Sequence, residues 1–340
     1  MQLLTVGYAG DDAPDGALDA REDAVFVAAG WTFTALVSPR EKSLRVLGGV
    51  GVVDSAGRVI VNDAFARARA CACATDAVFV VTSRGLGHFY VDGERDAETW
   101  REYDGADAVV AADVDGDGRF MALDDRGRVL DADGAEVFAP SVFSGVAVRR
   151  IALGGKHGVF VTENAEAWTF GWNLYGQCGL GVSSNDVPSP TAVRSFSAVG
   201  VRISDASCGD AFTIFVADGG DLGASLYACG TNRDGQLGTE DCEIGASTAT
   251  PRLVALENAP SMVRCGARHC AAACADGVYL WGANDQGQCG AAAADAVVPR
   301  PRRFERVDLA SNRVVALACG ASHVAILVAA ESPPQSPDDK

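Results

Sequence analysis

Apolar residues along this chain fall in short runs, rich in Val and Ala, as in HCAAAC at 269–274, GVYLWG at 277–282 and HVAILV at 323–328. Each run stops at a glycine, a polar residue or a charge before three helical turns are complete. Such runs predict strands, and helices are poorly supported. The runs also recur in order. A Cys-Gly-x-x-His turn followed by an apolar run appears as CGARHCAAAC around Gly266, ACGASHVAILV around Gly320 and ALGGKHGVFVT around Gly154, with a looser copy, SCGDAFTIFVA, around Gly209. A second phrase, Trp-Gly-x-Asn-x-x-Gly-Gln-x-Gly, is written WGANDQGQCG at 281–290, and in related form FGWNLYGQCG at 170–179 and CGTNRDGQLG at 229–238.

The two phrases keep their separation: 17 positions from Gly154 to Gly171, 21 from Gly209 to Gly230 across the insert GGDLGAS, and 16 from Gly266 to Gly282. Strand, tight turn, strand and glycine-rich exit, repeated at this interval, predict one four-stranded blade per repeat. Extending the phase into the weaker N-terminal half puts turns at 30, 74, 116, 154, 209, 266 and 320, with exits at 47–49, Gly93 and Gly134 in the first three units. The seventh unit stops near Val328 without its second phrase, while the chain opens on an orphan second half, LLTVGYAG around Gly7. The two fragments complete each other. The expected fold is all-β, a seven-bladed β-propeller of four-stranded blades over residues 1–330, its last blade closed by the N-terminal strand so that no sheet edge is left open there. Blades are degenerate over 1–147 and clear over 148–330. The end of the chain, ESPPQSPDDK over 331–340, has no apolar anchor and reads as a disordered tail, with Ser332 and Ser336 as phosphorylation candidates.

Composition fits this picture, with 48% apolar residues for a large core and 39 glycines for many tight turns. The formal charge of −17 would repel nucleic-acid phosphates and anionic membranes, so a charged partner is expected to be basic. No run reaches the length of a membrane span, and MQLLTVGYAG lacks the basic flank and apolar stretch of a leader, so the expectation is an intracellular soluble chain, nuclear or cytoplasmic, acting as a monomer. The 11 cysteines are scattered and lack a Cys-x-x-Cys pair; Cys208, Cys265 and Cys319 each precede a glycine, and they read as small buried thiols.

On the Cys-Gly-x-x-His turn and the Trp-Gly-x-Asn-x-x-Gly-Gln-x-Gly phrase, in register over about 148–328, the chain resembles the regulator of chromosome condensation repeat family, whose members are seven-bladed β-propellers. The GYAG start, the Gly-Trp-Thr-Phe-Thr turn at 30–34, the degenerate early blades and the Pro-Arg-Arg segment at 301–303 look like a small animal member of that family. That likeness implies a nuclear role beside a chromatin-modifying hydroxylase or demethylase, with histones as basic partners. The founding member, which promotes nucleotide exchange on a small GTPase, implies the alternative. Its exchange loops cannot be matched to residues of this chain. Light sensing, known in the family, needs clustered tryptophans ringed by arginine, and only the Gly-Trp-Thr-Phe-Thr turn resembles that motif.

In a repeat protein the recurring residues serve stacking. The turn glycines Gly30, Gly154, Gly209, Gly266 and Gly320, the histidines His157, His269 and His323, the tryptophans Trp168, Trp172 and Trp281, and the pairs Gly176–Gln177, Gly235–Gln236 and Gly287–Gln288 are therefore expected to be structural. The sharpest chemical signal is DVDGDGRFMALD, which sets Asp113, Asp115, Asp117 and Asp124 at positions 1, 3, 5 and 12 of a calcium-type loop with glycine at position 6. Met121 stands where a further ligand is usual, and strand-like flanks exclude a helix-loop-helix; the competing reading is the third blade's own turn. No nucleophile, phosphate-loop, dinucleotide or zinc motif is present, so no catalytic residue, cofactor or enzyme activity is expected. Arg300 and RRFER at 302–306 form the densest basic cluster, either a contact for an acidic partner or the outer strand of a blade. A protein-interaction scaffold with its partner on one propeller face is the leading reading.

Overall fold

Strand pairing in the computed structural model follows the phase of the repeat. The structure describes residues 2–7, 18–19, 26–30, 33–48, 58–83, 85–90, 99–102, 108–219, 223–292, 294–305 and 312–330. The exit at Gly93, the 331–340 tail with Ser332 and Ser336, and Trp31 lie outside these residues. At six of the seven turn positions the backbone N–H donates to the carbonyl three residues on: Gly30 to Phe33, Ala74 to Ala77, Gly154 to His157, Gly209 to Phe212, Gly266 to His269 and Gly320 to His323. The third turn is one residue longer. There Gly116 sits inside a loop closed by Asp115 N–H on the Arg119 carbonyl at 3.1 Å.

Seven four-stranded antiparallel sheets result. Six are simple meanders spanning 26–61, 68–102, 109–138, 148–192, 202–254 and 260–303, here blades 1 to 6. Blade 7 is composite. Its inner strands, Asn312–Cys319 and His323–Ala330, are followed outward by Gln2–Gly7 and Leu18–Asp19. Gln2 pairs with Val328 and the register runs without a break to Gly7 opposite His323, so the orphan N-terminal phrase is the missing half of the last blade. The inner strand of each blade packs on that of the next, blade 7 on blade 1 included, which closes the ring.

The second strand of a blade lies between neighbouring blades on both faces. This explains why those strands read as unbroken apolar runs instead of alternating. All six residues of Ala77–Thr82, His157–Thr162 and His269–Cys274 are buried. Full burial of a Val, Leu, Ile or Phe side chain stabilises by about 1.5–3 kcal/mol, so these strands carry much of the core. The outer strands show the opposite character. Ser184–Ala192 contains Pro188 and Pro190, Ser247–Val254 contains Pro251, and Val297–Arg303 contains Pro299 and Pro301. Proline offers no N–H to an incoming strand, so the rim of the propeller resists edge-to-edge pairing. The basic segment at 300–303 is part of such an outer strand.

Candidate functional site

Blade geometry assigns the loops to two faces. The turns joining first to second strands and the loops joining third to fourth strands emerge together on one face, around the central channel; the remaining turns and the blade-to-blade linkers emerge on the other.

The first face is built by the recurring residues. Where Gly266 turns blade 6, an added Cβ would lie 2.3 Å from the Gly320 carbonyl, and at Gly320 it would lie 2.3 Å from the Gly30 carbonyl. Backbone thus meets backbone at the channel mouth: Gly116 N–H donates to Gly154, Gly155 to Gly209, Asp210 to Ala267, Ala267 to Gly320 and Ala321 to Gly30. One layer below, His157 Nε2 meets Thr213 Oγ1 at 2.9 Å and His323 Nε2 meets Thr34 Oγ1 at 3.0 Å, each across a blade junction. The Thr213 hydroxyl donates to the Gln177 carbonyl, so it accepts from His157, whose Nε2 carries the proton. His269 Nε2 donates to the His323 carbonyl at 3.2 Å. Burial pushes His157 and His323 down to about 4 and His269 to about 3, so all three imidazoles are neutral at physiological pH and serve as blade ties.

In the Gly-Gln loops, a side chain that the expected structural set left out does most of the folding. Asn173, Asn232 and Asn284 each accept the N–H five residues on, at 2.9–3.1 Å, and each amide donates to a carbonyl at the far end of the loop: Val182, Cys242 and Asp295. Gln177, Gln236 and Gln288 accept from the N–H two residues back. The signal was legible, since this Asn stands at one fixed place in all three phrases. Trp281 is wholly buried, its Nε1 donating to the Gln236 carbonyl of blade 5 at 3.0 Å. The register places Phe170, not Trp172, at the equivalent position, because Phe170 pairs with Gly158 as Trp281 pairs with Cys270. Trp172 lies two positions further, half-buried, with Tyr175 edge-on at 5.4 Å.

The four aspartates of the calcium-type loop are not brought to one point. Asp115 accepts from the backbone of Asp117 and Arg119 and pairs with the Arg119 guanidinium at 3.0 Å; Asp124 does the same with Arg126 and Arg128, its ion pair at 2.7 Å. Asp131 repeats the backbone pattern with Asp133 and Ala135. An Asp-x-x-Gly phrase recurs at 115–118, 124–127 and 131–134, and builds all three hairpin turns of blade 3. Asp117 is exposed beside Lys156. Asp113 points the other way, to the channel wall: its carboxylate accepts Leu153 N–H of blade 4 at 2.7 Å and Val114 N–H at 2.9 Å, and burial raises it to about 6. Among the described residues no three His, Cys, Asp or Glu side chains form a metal-holding group.

The channel is about 620 Å3 and is lined by inner-strand residues including Asp113, Arg150, Asp205, Ser207, Arg264 and Cys265. Ser207 accepts Cys265 N–H at 2.9 Å in the manner of Asp113, and the Cys208, Cys265 and Cys319 thiols each donate to a carbonyl of the preceding blade. Burial pushes the Cys208 and Cys319 thiols well above their ordinary range, so they remain protonated.

Around the channel mouth the face is acidic. Exposed Asp117, Asp210, Glu240, Asp241, Glu243, Asp285 and Asp295 crowd its turns and loops. Its cations are largely engaged already: Lys156 with Asp117, Arg268 with both Asp234 and Asp285, and Arg300 with Glu240. Beside the acidic groups, Leu174, Tyr175 and Val182 stand exposed on one loop. The opposite face is mixed in charge, with Arg40, Lys42, Arg126, Arg194 and Arg202 among Glu41, Asp125, Glu163 and Asp218.

Comparison with known proteins agrees with this geometry. Models of the regulator of chromosome condensation (RCC1) repeat match residues 164–216, 224–273 and 276–327, and a second model of that repeat matches 148–177. The ultraviolet-B receptor UVR8 of Arabidopsis thaliana is 31% identical over 220 residues, 63% of this chain and 47% of the receptor. The human X-linked retinitis pigmentosa GTPase regulator is 33% identical over 141 residues, 41% of this chain and 13% of that protein. The matched segments thus span less than half the length of these relatives. Two solved structures share the fold: human WBSCR16, with a TM-score of 0.74 at 18% identity over 98% of this chain and all of that one, and Prp20p of Saccharomyces cerevisiae, with 0.73 at 16% identity over 97% and 92%. Each of the three longer matches begins in the outer half of one blade and ends in the inner half of the next, the same half-blade offset that leaves blade 7 to be closed by Gln2–Gly7. With its repeats matched over most of 148 to 327, the chain belongs to the regulator of chromosome condensation (RCC1) repeat family.

Proposed function

We propose that this chain is a non-enzymatic interaction scaffold whose channel-mouth face binds a basic, chromatin-associated protein such as a histone. The observation that carries the reading is the acidic face itself, where Lys156, Arg268 and Arg300 are tied to carboxylates while Glu243, Asp241 and Asp295 stand exposed, with Leu174 and Tyr175 alongside as apolar anchors. Prp20p, of like fold, is described by its binding to Gsp1p and histones, which supports a protein partner of this class. A nuclear chain working beside a histone hydroxylase or demethylase accords with the same charge.

The test is titration of the fluorescently labelled chain with purified core histones at low and moderate salt, beside an assay of nucleotide release from a small GTPase. The scaffold reading expects histone binding that weakens with salt and that falls when Glu240, Asp241 and Glu243 are changed to Lys, with nucleotide release unchanged. Accelerated release without histone binding would replace it with guanine-nucleotide exchange.

A further inference from the structure

Two thiols of blade 6 meet across a hairpin. Cys265, at the end of the inner strand of blade 6, and Cys270, at the start of the next, are direct cross-strand partners with their sulfurs 3.7 Å apart. They flank a two-residue turn, Ala267–Arg268, closed by Gly266 N–H on the His269 carbonyl. The pair just outside such a closing bond is a non-hydrogen-bonded pair, in which side chains approach most closely. The two sulfurs differ in access. Cys265 lines the channel and is half-buried; Cys270 is wholly buried.

We propose that Cys265 and Cys270 form a redox-reactive pair, oxidised by a hydroperoxide entering the channel to a cross-strand disulfide behind the Arg268 turn. In the first step the Cys265 sulfur attacks a peroxide oxygen: an S–O bond forms, the O–O bond breaks, and the departing hydroxide takes the thiol proton to leave as water. In the second step the Cys270 sulfur attacks the Cys265 sulfur, the S–S bond forms and the S–OH bond breaks, and the hydroxide leaves with the Cys270 proton as a second water. Two thiols are oxidised and one peroxide is reduced to two waters. The channel-facing Cys265 is the thiol that meets the oxidant, and the wholly buried Cys270, 3.7 Å behind it, is the one placed to resolve.

The modification changes the blade junction. In the reduced chain both thiols donate to blade 5, Cys265 to the Ser207 carbonyl at 3.4 Å and Cys270 to the Gln236 carbonyl at 3.5 Å. A disulfide has no S–H, so both contacts are lost. The turn between them carries Arg268, which holds Asp234 and Asp285 at the channel mouth.

The experiment treats the folded full-length chain with hydrogen peroxide, removes the peroxide, unfolds the chain in denaturant to alkylate the remaining thiols, and maps them by peptide mass analysis. Labelling of Cys265 and Cys270 is expected to fall together by at least about tenfold, with one linked peptide that a dithiol restores, while Cys178, Cys229 and Cys289 stay labelled. Cys270→Ser should leave Cys265 as a sulfenic acid trapped by a cyclic diketone, and Cys265→Ser should leave Cys270 unoxidised. Continued labelling of both after peroxide, linkage of Cys265 to Cys319, or a linkage seen only in urea would overturn the proposal. Should either variant fail to fold, mapping of the unsubstituted chain alone decides it.

Discussion

Replacing Asp113 by Asn should remove a pH-dependent penalty, so that the variant gains on the parent as the pH rises. Asp113 accepts one backbone N–H from its own strand and one from the next blade, yet burial outweighs those bonds and raises its carboxyl from the usual 3.8 to about 6. The folded protein therefore keeps a proton that the unfolded chain has already released. The stabilising contribution of that proton is complete below about pH 4 and is lost as pH rises through about 6, so the ionised carboxylate opposes folding at neutral pH. At about 1.36 kcal/mol per pKa unit the full effect is about 3 kcal/mol, and because the residue is only partly shielded from channel water, about 1–3 kcal/mol is the expected range. An amide resembles the protonated acid in shape and in its single strong acceptor, so Asp113→Asn removes the titration but keeps an acceptor for only one of the two N–H groups, that of Val114 on Oδ1 or that of Leu153 on Oδ2, and the pH-dependent part of the difference isolates the titration. Urea unfolding of both proteins should show the variant's advantage growing by about 1 kcal/mol between about pH 5 and about pH 7.5. A difference that does not change with pH, or one that moves against the variant as the pH rises, would refute the reasoning.

Deleting residues 1–7 removes a strand paired with His323–Ala330 and the buried side chains of Leu3 and Val6, and should cost about 3–5 kcal/mol in a urea titration; an unchanged midpoint would show that blade 7 stands without it. Gly282→Ala should destabilise by about 1–3 kcal/mol by the same measurement, since φ is +106° there and the new methyl would lie 2.5 Å from the Arg268 carbonyl. Trp281→Phe leaves the Gln236 carbonyl without its indole donor and should lower stability by about 1–3 kcal/mol in thermal unfolding. Tyr175→Ala, on an exposed side chain, should leave the unfolding midpoint within about 0.5 kcal/mol of the parent while weakening histone binding in the titration described above.

The blades were legible because each must solve one packing problem with one set of residues. Turn glycines that let backbones touch at Gly266 and Gly320, and histidines that tie neighbouring blades, recur because most junctions are built alike, so their spacing carried the fold through to the closure at Gln2–Gly7, past blades in which Ala74 and Phe212 stand at the equivalent places. Trp172 was misleading. Its residue type drew attention, but the spacing of the phrase already aligns Phe170 with Trp281 and Trp172 with Ala283, and the strand register agrees. The aspartates of blade 3 were ambiguous for a different reason: carboxylates that cap hairpin turns and carboxylates that hold a cation share the same short spacings with glycine, and only the direction of Asp113 and the guanidinium partners of Asp115 and Asp124 separate the two. The acidic face was hidden altogether, since its members come from loops of different blades and meet only once the ring is formed.

The closure of blade 7 has a mechanical side. Gln2 lies opposite Val328 and Gly7 opposite His323, so a pull that separates residues 2 and 328 acts across the end of the ladder. Its rungs then come under tension one after another, as in peeling, instead of sharing the load as they would under a pull along the strands. The seam of the ring therefore resists a pull on these two residues less than it would resist a pull along the strands, and a rigid partner fused to both would load it in its weaker direction.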